Sequence, residues 1–459
     1  MNEPVHVIGG GLAGCEAAWQ LARRDVRAVL WEMRPGRTTP AHKTGDLAEL
    51  VCSNSFRSDV ITNAAGLLKE EMRRFGSLIL TAADAAKVPA GSALAVDRAE
   101  FSRQVHDALE NRPEIEIRHD EVTELPGADT IAIIASGPLT SDSLAAVIAD
   151  FTGQDALYFY DAIAPVVEAE TIDTTIAFKG SRYGRGDDVD GDYFNCPLNK
   201  EEYDRFYDAL MEAAPVTWHE FEKDHFFEGC LPVEELARRG RDTLCFGPMK
   251  PVGLVDPRDG RRPHAVVQLR QDNRAATHYN LVGFQNHLKF AEQERILRLI
   301  PGLAKAEFVR FGQIHRNSFI NSPRVLHPTY QTRARAGLFF AGQISGVEGY
   351  LESAAAGLMA GTGAAALARG QDPRPFPPTT AHGALAHYIT GADPRHFVPT
   401  NISFGLFPAL GEAVAERGRR GRRERNRRHG ERALADLARF RASLDLPDHV
   451  AAAVQGGRE

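Results

Sequence analysis

A short apolar strand, Val5 to Ile8, runs directly into Gly9-Gly10-Gly11-Leu12-Ala13-Gly14. That succession constrains the fold more than any other part of the chain. In a G-x-G-x-x-G turn the first glycine permits the tight turn, the second lets the backbone approach a pyrophosphate, and the third lets the next helix pack closely on the strand. Phosphate then meets the positive N-terminus of that helix. A second apolar strand, Ala28 to Trp31, ends on Glu32, about 20 residues on, where a ribose-binding carboxylate belongs. Strand, turn, helix and acid in register predict a dinucleotide site built from Gly9, Gly10, Gly11, Leu12, Ala13, Gly14 and Glu32. A turn that only joined strand to helix would not need the acid. The glycine-rich turn of SAM-dependent methyltransferases is usually shorter, and the spacing here is nearer that of FAD enzymes.

A distant segment points the same way. Gly337-Leu338-Phe339-Phe340-Ala341 is an apolar strand ending in Gly342-Gln343, followed by an alanine- and glycine-rich helix read over Val347 to Leu367. In two-part FAD folds such a return places a helix N-terminus at the flavin, which would put Glu348, Tyr350 and Glu352 close to it. A core helix that needs close packing would have the same composition, and the two readings are compatible. Strand-like Glu114 to Arg118 and Thr130 to Ala135, the latter ending at Gly137-Pro138, extend the nucleotide-binding sheet. Between them and Phe340 the composition turns aromatic and charged. The predicted fold is α/β: a two-part Rossmann-type FAD-binding domain (1–163 and 309–370) interrupted by an inserted α+β domain (164–308). The proline-rich run Arg374 to Pro378 reads as a linker to a small helical C-terminal region (371–459).

Composition excludes several classes. The opening Met1-Asn2-Glu3-Pro4 has no basic leader character, and no apolar run approaches a membrane span, so a cytoplasmic, non-membrane protein is predicted. The five cysteines, Cys15, Cys52, Cys196, Cys230 and Cys245, form no C-x-x-C and no zinc-ligand spacing. No metal site is expected, and a flavin disulfide reductase, which needs paired thiols, is disfavoured. The net charge of −7 hides an asymmetry: Arg417 to Arg432 holds nine arginines against Glu424 and Glu431. Such a run attracts a polyanion or is simply a solvated stretch, with Gly418 and Gly421 expected to interrupt any helix.

Two thiols have distinctive settings. Cys52 ends an apolar run and is followed by Ser53-Asn54-Ser55-Phe56-Arg57-Ser58; a helix N-terminus or Arg57 beside it would raise its thiolate fraction. Cys230 lies in Gly229-Cys230-Leu231-Pro232 with Glu228, Glu234 and Glu235 close by. On local sequence alone both still read first as small packed hydrophobes.

Taken together, Gly9 to Gly14, Leu50 to Ser58, Phe227 to Glu234, Arg239 to Thr243, Phe246 to Leu254, Gln268 to Arg274, Gly283 to Lys289 and Gly342 to Ser353 resemble the folate- and FAD-dependent tRNA (uracil-5-)-methyltransferases. The similarity runs from the first strand to about Ala368; the acidic stretch Asp187 to Asp192 and the arginine run depart from it. The resemblance implies methylation of uridine 54 in the tRNA T loop. Carbon would come from methylenetetrahydrofolate by way of flavin N5, and NADPH or NADH would reduce the FAD. It implies that Cys52 and Cys230 are the two functional cysteines, with Cys230 assigned as nucleophile and Cys52 removing the C5 proton or guarding the flavin adduct. The roles can be exchanged. Tyr350 or His287 would stack on the pterin, Glu348 or Glu352 would bond its polar edge, and Arg182, Arg185 and Lys250 would hold phosphates of the tRNA. The alternatives are an FAD- and folate-dependent modification of the wobble uridine, which would call for a longer helical C-terminal domain, a small-molecule flavin oxidoreductase, and a non-catalytic RNA-binding flavoprotein. The sequence does not fix the oligomeric state.

Overall fold

The architecture is described from a computed structural model covering residues 3–39, 41–153, 157–184, 191–215, 231–312, 314–411 and 418–444. Its first unit is the predicted β-α-β: β1 (Val5–Ile8), α1 (Leu12–Ala22) and β2 (Ala28–Trp31), with β1 and β2 paired in parallel, Val5 opposite Ala28. All eleven residues of α1 are buried. A helix enclosed on every side cannot leave its polar residues bare, and Glu16 accepts hydrogen bonds from the Ser77 hydroxyl (2.6 Å) and the Ile79 N–H (3.0 Å).

The chain then forms β3 (Ser55–Ser58), α2 (Ala64–Arg74), β4 (Ile115–Arg118) and β5 (Ala132–Ile134). β4 and β5 join the first sheet, and after β5 the chain comes back to it only at β6 (Leu338–Phe340). The resulting five-stranded parallel sheet has the order β6-β5-β1-β2-β4. Its second layer includes α3 (Tyr350–Ala368), packed on α1 so closely that a Cβ on Gly357 would stand 2.1 Å from the Ala13 carbonyl oxygen. The glycines of this helix therefore serve the small-residue packing role.

Between β5 and β6 lies a second, six-stranded sheet drawn from Val166 to Arg310, largely antiparallel, with its own hydrophobic core around Val267, Leu269, Phe206 and Phe284. A two-stranded antiparallel ribbon, Leu157–Ala162 against Ile314–Phe319, joins this insertion to the nucleotide sheet. The α/β class with an inserted α+β unit is thus the observed fold.

Three local expectations are corrected. The helix expected from Val347 begins at Tyr350, because Gly346 (φ 82°) and Gly349 (φ 102°) hold the preceding residues outside helical geometry. Arg374 to Pro378 is no free linker: Phe376 is buried, 5.2 Å from Phe75 and 4.6 Å from Phe440 between ring centres. The arginine run is not broken by its glycines; α4 spans Gly418–Ala442, held by the buried stripe Ala433, Leu437 and Phe440. No helix among the described residues is long and apolar enough to cross a membrane.

Candidate functional site: a dinucleotide cleft beside a thiol

The cleft opens at the carboxyl ends of β1, β2 and β5, where open α/β sheets bind ligands. Gly9, Gly10, Gly11, Leu12, Ala13 and Glu32 line one side, and Gly137, Gly342, Gln343 and Tyr350 lie around it. Residues far apart in sequence are therefore brought together. Gly9 has a φ of 109° and lies where a Cβ would strike the Ala135 carbonyl oxygen at 2.4 Å. A Cβ on Gly14 would sit 1.8 Å from the Gly9 carbonyl oxygen, so that residue shapes the turn without lining the cleft. At Gly11 a Cβ would meet nothing within 4 Å and would project into open space. Gly11 is also the N-cap of α1 and supplies no side-chain cap, so the first N–H groups of the helix are left for a ligand. These features fit a pyrophosphate.

Glu32 is buried and fully engaged. Its carboxylate accepts from the Gly10 N–H (3.0 Å), the Arg34 N–H (2.9 Å) and the Arg34 guanidinium (2.9 and 3.0 Å). Burial opposes its charge, but the hydrogen bonds and charge of Arg34 overrule it and hold the carboxyl below its ordinary range. Nothing in the motif spacing singles out Arg34. The available signal was its position two residues beyond the acid, where a buried carboxylate needs a cation.

Cys52 stands at the rim. Its neighbour Val51 lines the cleft, as does Tyr350, the first residue of α3. The Tyr350 hydroxyl accepts the N–H of Cys52 (2.7 Å) and the N–H of Ser53 (3.1 Å), and it lies 3.0 Å from Cys52 Sγ. A phenolic oxygen whose acceptor sites are both taken has only its own proton left to give. In this geometry Tyr350 donates to the sulfur, an arrangement that favours the thiolate. Burial, reinforced by the neighbouring thiol, pushes the Tyr350 phenol well above its ordinary pKa, so it keeps the proton it donates.

The loop is braced from below. Arg310 donates to the Val51 carbonyl (3.1 Å); Arg270 donates to Asn54 Oδ1 (3.1 Å) and Ser53 Oγ (3.0 Å). Burial, with Arg98 nearby, pulls Arg310 down to about 10, still cationic at neutral pH. The residues after Cys52 form β3, so no helix of its own segment starts at this thiol, and Arg57 turns to pair with Glu352. Arginines from the inserted sheet supply the positive field that sequence reading sought in Arg57.

The remaining candidates fall in different places. Glu352 is buried, bound by Arg57 and by the Ile402 N–H (2.8 Å), and Glu348 accepts from the Gln343 side chain (2.7 Å), so protein partners engage both carboxylates. His287 lies in the inserted domain, its Nδ1 2.5 Å from Glu234, and does not line the cleft. That contact, with the Val233 N–H bonded to the Gln285 carbonyl (2.7 Å), fixes the segment that follows Cys230. Cys230 itself and Arg185 lie outside the described residues. Arg182 braces the fold, donating to Gln268 (2.9 Å) and to the carbonyls of Lys250 and Val252, whereas Lys250 is exposed. Burial raises the thiols of Cys15 and Cys196, the latter to about 12, in keeping with structural roles. Among the described residues no group of three or more His, Cys, Asp or Glu is placed to hold a metal ion.

Comparison with known proteins gives a consistent picture. The family described as glucose inhibited division protein A matches residues 4–372. A protein of Heliobacterium modesticaldum named methylenetetrahydrofolate–tRNA-(uracil-5-)-methyltransferase TrmFO is 58% identical over 95% of this chain and 98% of its own length. One of the same name from Moorella thermoacetica is 59% identical, with 95% and 97% covered. Among solved structures, Aquifex aeolicus GidA superposes with a TM-score of 0.68 at 16% identity, over 95% of this chain and 73% of the other, a likeness of fold.

Proposed function

The chain belongs to the glucose inhibited division protein A family and, within it, to the methylenetetrahydrofolate–tRNA-(uracil-5-)-methyltransferases, and on that premise we propose that it methylates C5 of uridine 54 in the T loop of tRNA. Methylenetetrahydrofolate is the carbon donor. C5 of uracil is a weak nucleophile, so a thiolate adds first at C6 and produces an enolate that attacks the methylene electrophile. The incoming carbon is at the formaldehyde level, so a methyl group needs two more electrons; FAD held by Gly9 to Gly11 and the N-terminus of α1, and reduced by NADPH or NADH, would supply them. Loss of the C5 proton then expels the thiolate and restores the aromatic base.

The observation that carries this reading is Cys52 at the edge of a dinucleotide cleft, hydrogen-bonded to a tyrosine of that cleft and braced by Arg270 and Arg310. Cys230 is assigned as the nucleophile. Cys52, held toward its anionic form, is then the base that takes the C5 proton. The first N–H groups of α1 hold the pyrophosphate, and the target base is extruded from its loop to reach the thiols.

The test is single-turnover transfer of labelled carbon from methylenetetrahydrofolate to a T-loop transcript, with wild type, Cys52→Ala and Cys230→Ala. Wild type labels the RNA at uridine 54. Cys230→Ala retains the yellow flavin and transfers nothing. An unlabelled transcript with wild type overturns the assignment, and full activity in Cys230→Ala moves the nucleophile elsewhere.

A further inference from the structure

The first half of α4 is a basic, solvent-exposed segment with no partner assigned to it in the proposed chemistry. Arg420, Arg422, Arg423 and Arg425 are all exposed. The helix carries two acids nearby, and both are taken: Glu424 by Arg427 and Arg428, Glu431 by Arg427. The four other arginines make no ion pair among the described residues. Six residues of helix span about 8 Å, so four uncompensated charges crowd one turn and a half of a chain whose net charge is −7.

These charges are presented on a fixed rod. His429, Ala433, Leu437 and Phe440 are buried, and Asn426 donates to the Thr62 carbonyl (2.9 Å). Thr62 belongs to the loop between β3 and α2, and β3 begins three residues after Cys52. The same stretch of chain thus carries the thiol at one end and abuts the arginine helix at the other. A membrane is a poor occupant, because surface insertion needs a free apolar stripe and that of α4 is buried in its own protein.

We propose that this exposed arginine segment is the surface on which the phosphate backbone of the tRNA rests while its T loop reaches the cleft. The proposal builds on the methyltransferase reading above. Guanidinium groups grip phosphate oxygens in pairs, and the acidic remainder of the chain repels the backbone elsewhere.

The test uses the full-length, FAD-loaded protein and an unmodified tRNA transcript, with binding measured between about 50 and 200 mM salt. The variant carries Arg420→Gln, Arg422→Gln, Arg423→Gln and Arg425→Gln together. It should flatten the slope of log affinity against log salt by about 3 and weaken binding at least about tenfold at the lower salt. Replacing the same four by lysine should restore the slope, which separates lost charge from a damaged helix. An Arg27→Gln, Lys305→Gln control should not change it. An unaltered slope in the quadruple glutamine variant overturns the proposal. So does a variant that binds tRNA normally but loses binding to phosphatidylglycerol vesicles. Because binding is read without turnover, a wild type that binds tRNA yet transfers no carbon would refute the methyltransferase reading alone.

Discussion

Replacing Tyr350 with phenylalanine tests the hydrogen-bond direction deduced at the rim of the cleft. The phenol accepts two N–H groups and points its proton at Cys52 Sγ, 3.0 Å away. A hydrogen bond to a charged group contributes about 1.5–3 kcal/mol, and one pKa unit corresponds to about 1.4 kcal/mol. Cys52 is half-buried, so solvent replaces part of what is lost and the lower end applies. The midpoint of thiolate formation should rise by about one unit, which lowers the reactive fraction near neutral pH roughly tenfold. The assay is alkylation of Cys52 by iodoacetamide across pH, followed by peptide mass spectrometry, on the flavin-loaded protein. Fluorotyrosine at position 350 supplies the complementary case: a stronger donor with the same shape should move the midpoint down. Should Tyr350→Phe leave the midpoint in place, or fluorination raise it, then the sulfur is the donor and the thiolate argument is wrong.

Other expected outcomes concern packing and pH. Gly357→Ala would drive a methyl group to 2.1 Å from the backbone of Ala13, and overpacking of that kind costs about 1–3 kcal/mol; a lowered denaturation midpoint together with weaker flavin retention is expected, and wild-type values in both would show that the two helices can part freely. Lys69 is fully buried, and desolvation pulls its ammonium down to about 8 from the ordinary 10.5. Its burial therefore opposes folding in full below pH 8 and is relieved as pH rises toward 10.5, a gain of about 3 kcal/mol. Urea denaturation at several pH values should show Lys69→Met lacking that rise, although it forfeits the bond to the Ser58 carbonyl (2.7 Å); parallel pH slopes in the two proteins would contradict the burial argument.

What could be read from the sequence was local. Gly9 to Gly14 and Glu32 form a short motif whose spacing reflects one strand, one turn and one acid, so their meeting in a cleft needed no tertiary knowledge. The Cys52–Tyr350 contact joins residues 298 positions apart, and no periodicity reports such a pairing. Glu352 looked available because acids at a helix start usually face solvent or ligand. Here the first turn of α3 is covered by the chain near Ile402, and a buried carboxylate captured Arg57. The arginine segment misled in the opposite sense: glycine weakens a helix by only about 1 kcal/mol, and the apolar stripe farther along α4 outweighs it.

The strand that completes the nucleotide sheet is Leu338–Phe340, whose parallel neighbour is Ala132–Ile134. In a nascent chain about 200 residues must follow that neighbour before its mate emerges, which at bacterial-like speeds of about 5–20 residues per second takes roughly 10–40 s. Throughout that interval an apolar strand has one unsatisfied edge and α1 lacks the helix that covers it. Birth on the ribosome is therefore the period in which this protein is most exposed to misassociation, and a chaperone or early-binding cofactor would have its largest effect on yield then.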